Sequence, residues 1–450
     1  ISSSTPVLRE QKQVVGQFTF EMKVYLGQQN WQPYLYRRRY DVVILSPQVV
    51  EQSATAEVLS IPAMSSTIDV AGLPPSKSHL IRWLLMAAQS EKNVRLKGVS
   101  NASKDACAMR DALMQLGVHI DVEDDEWVVH GVGHFGFINP NVPLNLHNSG
   151  TALRMLAIAI LRIEQPIWID GDATLDSRID REFWQSLGIE VEFASADRNL
   201  PMKLVGPLSI DSLEIDGRKT SQHLSALLLS MPARAHDLFL TIDGDLVSRR
   251  HAKLSYGIAA HCGSENDISS RILKTWNCNP PNEVQIPLDA SHIAFWRLYE
   301  ILHDCALELP NVSPEDSIGA EVLQNLDFKN PNTVDLRDAN DLITPLAAAM
   351  AIGGGGEIIG ASHARHKETN RIEHTESLLA AFSLDVECTD DGLKISGGQR
   401  PIAPNKIVET NGDHRMQMTA VVLATKVGAQ IYGDRLHEVS FPEFLNYIHP

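Results

Sequence analysis

Ala112-Leu-Met-Gln-Leu-Gly-Val-His-Ile120 is the stretch from which the fold of this chain is read. An amphipathic run ends on Leu-Gly and a short alternating run begins at once. Gly after Leu suits a helix C-cap in the left-handed region, which a residue without Cβ enters at no steric cost. The period-2 run that follows predicts a strand half-buried on one face. The same succession returns at Phe183-Trp-Gln-Ser-Leu-Gly-Ile-Glu-Val191, more weakly at Ile258-Ala-Ala-His-Cys-Gly263, and again at Leu378-Leu-Ala-Ala-Phe-Ser-Leu-Asp-Val386. The first three copies lie roughly 70 residues apart, too far for a solenoid. Helix and strand repeated on this scale predict an α/β architecture whose helices bury against sheets.

The chain has 450 residues, enough for two domains and a large core. Its net charge of −17 argues against a general nucleic-acid or membrane-surface binder, so any cationic site must be local. The five cysteines are scattered without CxxC spacing, which predicts a reducing compartment and no structural zinc site. Apolar runs are too short to cross a membrane, and no signal peptide is visible. A cytoplasmic protein is expected; because the chain starts at Ile1 without Met, an upstream targeting segment stays open. Residues 1–55 read as a β-rich extension, with strands over 13–26 and 31–45, a turn at 27–30 and a polar linker over 52–57. Pro280, Pro281 and Pro287 mark a domain boundary near 279–288.

Polar clusters recur where apolar helices begin. Leu73-Pro-Pro-Ser-Lys-Ser-His-Leu-Ile-Arg82 offers hydroxyls and Lys77 as a phosphate or carboxylate cradle, with Ser78 and Arg82 one turn apart. In Leu146-His-Asn-Ser-Gly-Thr-Ala-Leu-Arg154, Gly150 permits close backbone approach and Asn148, Ser149 and Thr151 supply hydrogen bonds. Asp216-Gly-Arg-Lys-Thr-Ser-Gln-His-Leu-Ser225 presents Thr220, Ser221 and Gln222, and Ser248-Arg-Arg-His251 adds a further anion contact. Asp335-Leu-Arg-Asp-Ala-Asn-Asp341 brings carboxylates that either cap a helix or act as a general base. In His363-Ala-Arg-His-Lys-Glu-Thr-Asn-Arg371, Asn370 with Glu373 has the form of a capping box, and Lys367 and Arg371 share a face if helix has begun. Asn411-Gly-Asp-His-Arg-Met-Gln-Met418 places Asp, His and Arg before another apolar helix. Each taken alone also reads as a capped helix start; six in one chain, each with Lys, Arg, His or paired hydroxyls, are less easily dismissed as caps.

The order and content of these motifs resemble the enolpyruvyl transferase family. The residues that carry the match are Leu73-Pro-Pro-Ser-Lys-Ser, Asn148-Ser-Gly-Thr-Ala-Leu-Arg154, Thr220-Ser-Gln222, Asp341, Lys367-Glu-Thr-Asn-Arg371, Asp413-His-Arg-Met416 and Phe441-Pro442, in family order. The Ser-Lys-Ser turn is the form of the shikimate-type branch rather than of the branch acting on UDP-N-acetylglucosamine. The resemblance implies a two-domain, inside-out α/β barrel of repeated β-α-β-α-β-β units. The domains would be 56–75 with 287–450, and 76–286, beside the 1–55 extension. It implies carboxyvinyl transfer from phosphoenolpyruvate to a hydroxyl of shikimate 3-phosphate or a related cyclic alcohol, with release of phosphate. No cofactor and no metal are implied, and a monomer or weak oligomer is expected.

The resemblance further implies catalytic roles for Lys77, Asp341 and Glu368: Asp341 for the hydroxyl proton, Glu368 for the methylene proton, Lys77 against both ligands. Arg371 and Arg415 would hold the phosphoenolpyruvate carboxylate, with Gly150 and Gln222 nearby. Ser78, Arg82, Thr220, Ser221, Ser248 and Lys367 would bind the cyclic partner. Asn148, Thr151, Arg154, Arg178, His363 and His414 complete the expected binding set. The chain departs from the family pattern at Thr174, where an Arg is usual, at Val439, where a Lys is usual, and at His251, His363 and Asn370. Two alternatives therefore stand beside the first reading: a divergent enzyme acting on another cyclic carboxylate by another reaction such as elimination, and a non-catalytic binding descendant.

Overall fold

The computed structural model describes residues 9–15, 18–24, 58–64, 68–70, 72–313, 317–433 and 435–448. The chain divides into two compact units, Ile1–Ala54 and Thr55–Pro450. In the first, strands Arg9–Val15 and Phe18–Val24 pair antiparallel, with Val15 opposite Phe18. The expected hairpin is therefore tighter than read: the run 13–26 holds parts of two strands, and Gly16 was the break in its pattern. The expected second strand at 31–45, the turn at 27–30 and the linker at 52–57 lie outside the described residues.

The second unit repeats one sheet pattern. Leu144–Asn145 runs parallel to Ile167–Asp170, which is antiparallel to Met202–Val205, itself antiparallel to Glu190–Glu192. Asn332–Asp335, Gly356–Ile359, Leu393–Ile395 and Val386–Cys388 repeat that order and those directions. So do Glu283–Gln285, Asn93–Lys97, Glu126–His130 and His119–Val122. In the first two sheets the parallel pair is joined through a buried helix, as parallel pairing requires, giving the succession β-α-β-α-β-β. A three-stranded sheet, Ser212–Asp216, Leu238–Asp243 and Ile272–Leu273, is a shorter version. Strands such as Asn93–Lys97 alternate buried and exposed residues, so one face of the sheet meets solvent.

The helices lie inside. Lys77–Gln89, Gly150–Ala159 and Gln222–Ser230 pack on one another, and so do Ile293–His303, Ile343–Ile352 and His414–Val427. Ile343–Ile352 reads ITPLAAAMAI and is buried at every position, the composition of a helix surrounded on all sides. Two separate hydrophobic cores result: one draws on residues 80–286, the other on 61–73 together with 290–448. The fold is thus the inside-out, two-domain α/β arrangement that the resemblance implies. The chain passes between the cores along two adjacent segments. Pro75 bridges Leu288, Ser76 N donates to Pro287 O at 2.8 Å, and Asp289 N donates to Pro74 O at 2.9 Å.

The helix-stop signals are realised in the backbone. Gly117, Gly188 and Gly263 have φ of 91°, 65° and 100°. Strands follow the first two directly, whereas after Gly263 the next strand is Ile272–Leu273. At the fourth copy Ser383 takes the same conformation, φ 60°, with a side chain that glycine would lack. A non-glycine residue there costs roughly 1–2 kcal/mol, partly offset by the chain entropy that glycine loses on folding. Ser383→Gly is therefore expected to stabilise the protein by about 0.5–1 kcal/mol, read as a rise in the urea midpoint with unchanged slope.

Candidate functional site

The polar residues stand where the inner helices begin, and local chemistry puts them there. Ser149 caps Gly150–Ala159 by accepting from Ala152 N, and Asp413 caps His414–Val427 by accepting from Arg415 N at 2.8 Å. Asp289 accepts from Ser291 N at 3.1 Å ahead of Ile293–His303. Helix N-termini with unpaired N–H groups favour anions. Asn370 caps Arg371–Ala381 by accepting from Glu373 N at 3.4 Å, but the reciprocal half of the expected capping box is not made. Glu373 instead pairs with Arg365 at 2.7 Å. Because the helix starts at Arg371, Lys367 precedes it, and the two cations do not share a helical face.

Arg371 is 1% exposed and its guanidinium serves three carboxylates. Nε donates to Asp413 at 2.8 Å, Nη1 to Asp341 at 2.7 Å and Nη2 to Glu368 at 2.6 Å. Arg415, equally buried, donates through Nη2 to Ser291 Oγ at 3.0 Å and lies 3.5 Å from Asp341. Its Nε and Nη1 are buried without a hydrogen-bond partner. A third guanidinium, Arg178, donates to Thr174 O, Asn148 O and Asn148 Oδ1 at 2.9, 2.6 and 3.0 Å, and faces Glu368 at 3.5 Å. Arg154 is held by Gly150 O, Gln222 Oε1 and Arg178 O at 3.1, 2.8 and 2.7 Å, and Gln222 donates in turn to Thr151 Oγ1 at 3.2 Å. A Cβ at Gly150 would lie 2.7 Å from Arg154 Nη1 and 3.3 Å from Arg178 Nη1, so a side chain there would displace guanidinium groups. Lys77 donates to Asp105 at 3.1 Å.

These partners set the charge states. Burial alone would raise the pKa of Asp341, but Arg415, Arg371, Lys367 and Lys77 hold it well below the usual carboxylate range. Glu368 is likewise held well down, against burial, by Arg371 and Arg178. Burial would lower Lys77, but Asp105, Glu368 and Asp341 raise it, so it carries a proton. Lys367 is lowered, by burial first, with Arg371 and Arg154 adding to the effect.

The histidines behave otherwise. Burial, aided by neighbouring cations, pushes His251 and His363 down to about 3. Asn340 Nδ2 meets His363 Nε2 at 2.5 Å, and Ser248 Oγ lies 3.4 Å from the same atom. Nε2 thus accepts from the amide, Nδ1 carries the proton, and that Nδ1 is buried without a partner. Between the ordinary value of 6.5 and the folded value of about 3 the unfolded chain binds more protons, so stability rises with pH across that window. Each of these two histidines is expected to remove about 1.4 kcal/mol of stability per pH unit as pH falls below 6.5. Urea titrations at pH 7, 6 and 5 check this: His363→Asn should flatten the profile.

A cavity of about 770 Å³ is lined by residues that include Arg154, Arg178, Thr220, Gln222, His363, Lys367 and Glu368. A second, water-sized pocket of about 20 Å³ is lined by Lys77, Ser78, His251, Asp289, Ser291 and Asp341 among others. Asn148, Gly150, Thr151, Ser248, Arg371 and Arg415 are joined to these linings by the bonds given above. His414 is buried at 1% exposure, with Nε2 unpartnered and its pKa held well below the ordinary value, chiefly by burial. Ser221 is buried and lines neither pocket. Arg82 is 1% exposed and turns to Ser255 Oγ at 2.7 Å and Ser78 O at 2.8 Å, and burial lowers it to about 9.

Sequence reasoning passed over Asp105, Asp289, Ser291 and Asn340, and assigned Asp413 no role. The cap Asp289-Ala-Ser291 lies just past the boundary read at 279–288 and has the Asp and Ser of an N-cap ahead of an apolar run. At the two departures, Thr174 donates to Asp172 at 2.6 Å and lies beside Gly412, while the residue before Val439, Glu438, pairs with Lys104 and with Arg435.

The profile of EPSP synthase (3-phosphoshikimate 1-carboxyvinyltransferase) matches residues 63–448. A 3-phosphoshikimate 1-carboxyvinyltransferase of Caldivirga maquilingensis is 27% identical over 383 residues, 78% of this chain and 87% of that protein. The one of Idiomarina loihiensis is 28% identical over 413 residues, 83% of this chain and 94% of its own. Among solved structures, EPSP synthase of Acinetobacter baumannii superposes with a TM-score of 0.67 at 21% identity, covering 87% of this chain and 97% of its own. The enolpyruvyl transferase NikO of Streptomyces tendae gives 0.64 at 12% identity over the same shares.

Proposed function

Since this chain belongs to the EPSP synthase family, we propose that it is a carboxyvinyltransferase that moves the enolpyruvyl group of phosphoenolpyruvate to a hydroxyl of shikimate 3-phosphate, or of a closely related phosphorylated cyclic alcohol, and releases phosphate. The observation that carries the reading is the Arg415 guanidinium, buried with Nε and Nη1 unpartnered beside Arg371 and Asp341. A buried cation with unfilled donors is a site prepared for an anion, and a guanidinium pair suits a carboxylate. The two separate cores support a division into domains 56–75 with 287–450 and 76–286, with the ligands between them.

The charge states suggest the order of events. Asp341, ionised, takes the hydroxyl proton as oxygen adds to C2. Glu368 handles the proton at the methylene carbon, and Lys77, which carries a proton and bonds Asp105, assists its delivery. The ketal then returns a methyl proton to Glu368 and expels phosphate. An incoming carboxylate competes with Asp341 for Arg371 and Arg415, which makes Asp341 more basic at the moment it is needed. Charge moving onto the departing phosphate is stabilised by the surrounding cations and helix N-termini in a site shielded from water. Among the described residues no helix is long and apolar enough to cross a membrane.

Release of inorganic phosphate on mixing the protein with phosphoenolpyruvate and shikimate 3-phosphate tests the proposal. No release, combined with tight binding of a different cyclic acid, would reject it. That second reading, another cyclic substrate, is favoured by one observation: the unpartnered Nδ1 atoms of His251 and His363, buried beside the site. Replacing His363 by Asn would then shift preference between the two alcohols, whereas under the first reading it changes only affinity.

A further inference from the structure

Among the described residues, one group of three metal-ligating side chains stands together: His119, Asp121 and His130. None of them lines either pocket of the candidate site. His119–Val122 is the edge strand of its sheet and pairs antiparallel with Glu126–His130, with His119 directly opposite His130. Asp121 follows His119 by two residues and so projects from the same face of the strand. That face is open to solvent: the side chains of His119, Asp121 and His130 are 71%, 49% and 35% exposed.

The ligating atoms already converge. His119 Nε2 is 3.0 Å from Asp121 Oδ1 and His130 Nε2 is 2.7 Å from Asp121 Oδ2. All three groups place a ligand atom within 4.8 Å of the others, and the imidazole centroids are 4.9 Å apart. Tetrahedral ligands 2.0–2.1 Å from zinc stand roughly 3.3 Å from one another, so small side-chain rotations would suffice. The turn between the strands, residues 123–125, is Glu-Asp-Asp, which adds negative potential on the Asp121 side of the cluster.

We propose that His119, Asp121 and His130 bind a divalent transition-metal ion of the zinc class. Two imidazoles and one carboxylate are the donor set such an ion takes, and solvent exposure leaves a fourth position for water. Two ligands come from one strand and the third from its neighbour, so the ion clamps the edge strand to the sheet. Binding to the folded state alone then raises stability with metal concentration.

The test is titration of the full chain, stripped of metal, with zinc chloride and separately with cobalt chloride. The expected result is one saturable site, a zinc-dependent rise in melting temperature, and the visible bands of tetrahedral cobalt. His130→Ala, Asp121→Asn and the double variant His119→Ala/His130→Ala should each lose at least about 10-fold in affinity, since even changes outside the ligand shell cost that much. Equal melting temperatures of all variants in metal-free buffer would show that folding is intact. Zinc affinity and cobalt spectra unchanged between the native chain and the double variant would overturn the proposal and leave a hydrogen-bonded cluster only.

Discussion

Arg371→Ala is expected to lower folding stability by about 3–5 kcal/mol and to abolish phosphate release. One guanidinium, 1% exposed, holds Asp413, Asp341 and Glu368 at 2.8, 2.7 and 2.6 Å. Asp413 is itself fully buried, so removing its partner leaves an uncompensated charge with no access to water. The urea midpoint measures the loss, and a change below about 1 kcal/mol would show that the network contributes little. Arg371→Lys separates charge from shape. It keeps the cation but cannot reach three carboxylates with one planar fork, so stability should fall less than with alanine while turnover stays low.

Asp341→Asn is expected to reduce kcat by about 10²–10⁴-fold, the range for loss of a positioned base. Its effect on binding should have the opposite sign. Asp341 lies 2.7 Å from Arg371 and 3.5 Å from Arg415, and partly neutralises both. Without its charge the two guanidiniums attract an anionic substrate more strongly, so KM for phosphoenolpyruvate should hold or fall as kcat drops. Steady-state kinetics with continuous phosphate detection reads both. An unchanged kcat would remove Asp341 from the chemistry, whereas a rise in KM with steady kcat would make it a binding residue.

The fold was legible because its signals are local. Leu-Gly before an alternating run announced the helix stops at Gly117 and Gly188, and an apolar run announced the helix now seen at Ile343–Ile352; that the helices lie inside came from the family resemblance. The helix entrances were legible for a related reason: hydroxyls, amides and cations gather where an apolar run begins, as at Asn148 to Thr151. What escaped was pairing across distance. Asp105 sits in the first turn of Lys104–Gln115, where an acidic residue looks like a dipole partner, and only the fold brings it 3.1 Å from Lys77. Asn340 precedes a residue that attracted attention and meets His363 only once two elements are packed. The His119–Asp121–His130 group needs strand register before its members can be seen as neighbours. In the extension, alternation alone suggested one strand over 13–26, although Gly16 interrupts it, and the structure pairs Val15 with Phe18.

The two strands of chain that pass between the cores do so side by side, Ser76 bonded to Pro287 and Asp289 to Pro74. The piece between them therefore begins and ends at one place. It has its own hydrophobic core and its own helices. Seen as modular construction, we propose that 76–286 is a cassette: expressed alone it is expected to fold, and a short loop joining Pro75 to Leu288 would close the host behind it. The active residues would then be parted into two sets, Lys77, Arg154 and Arg178 on one polypeptide and Asp341, Glu368, Arg371 and Arg415 on the other. Activity on mixing the two would report reassembly directly.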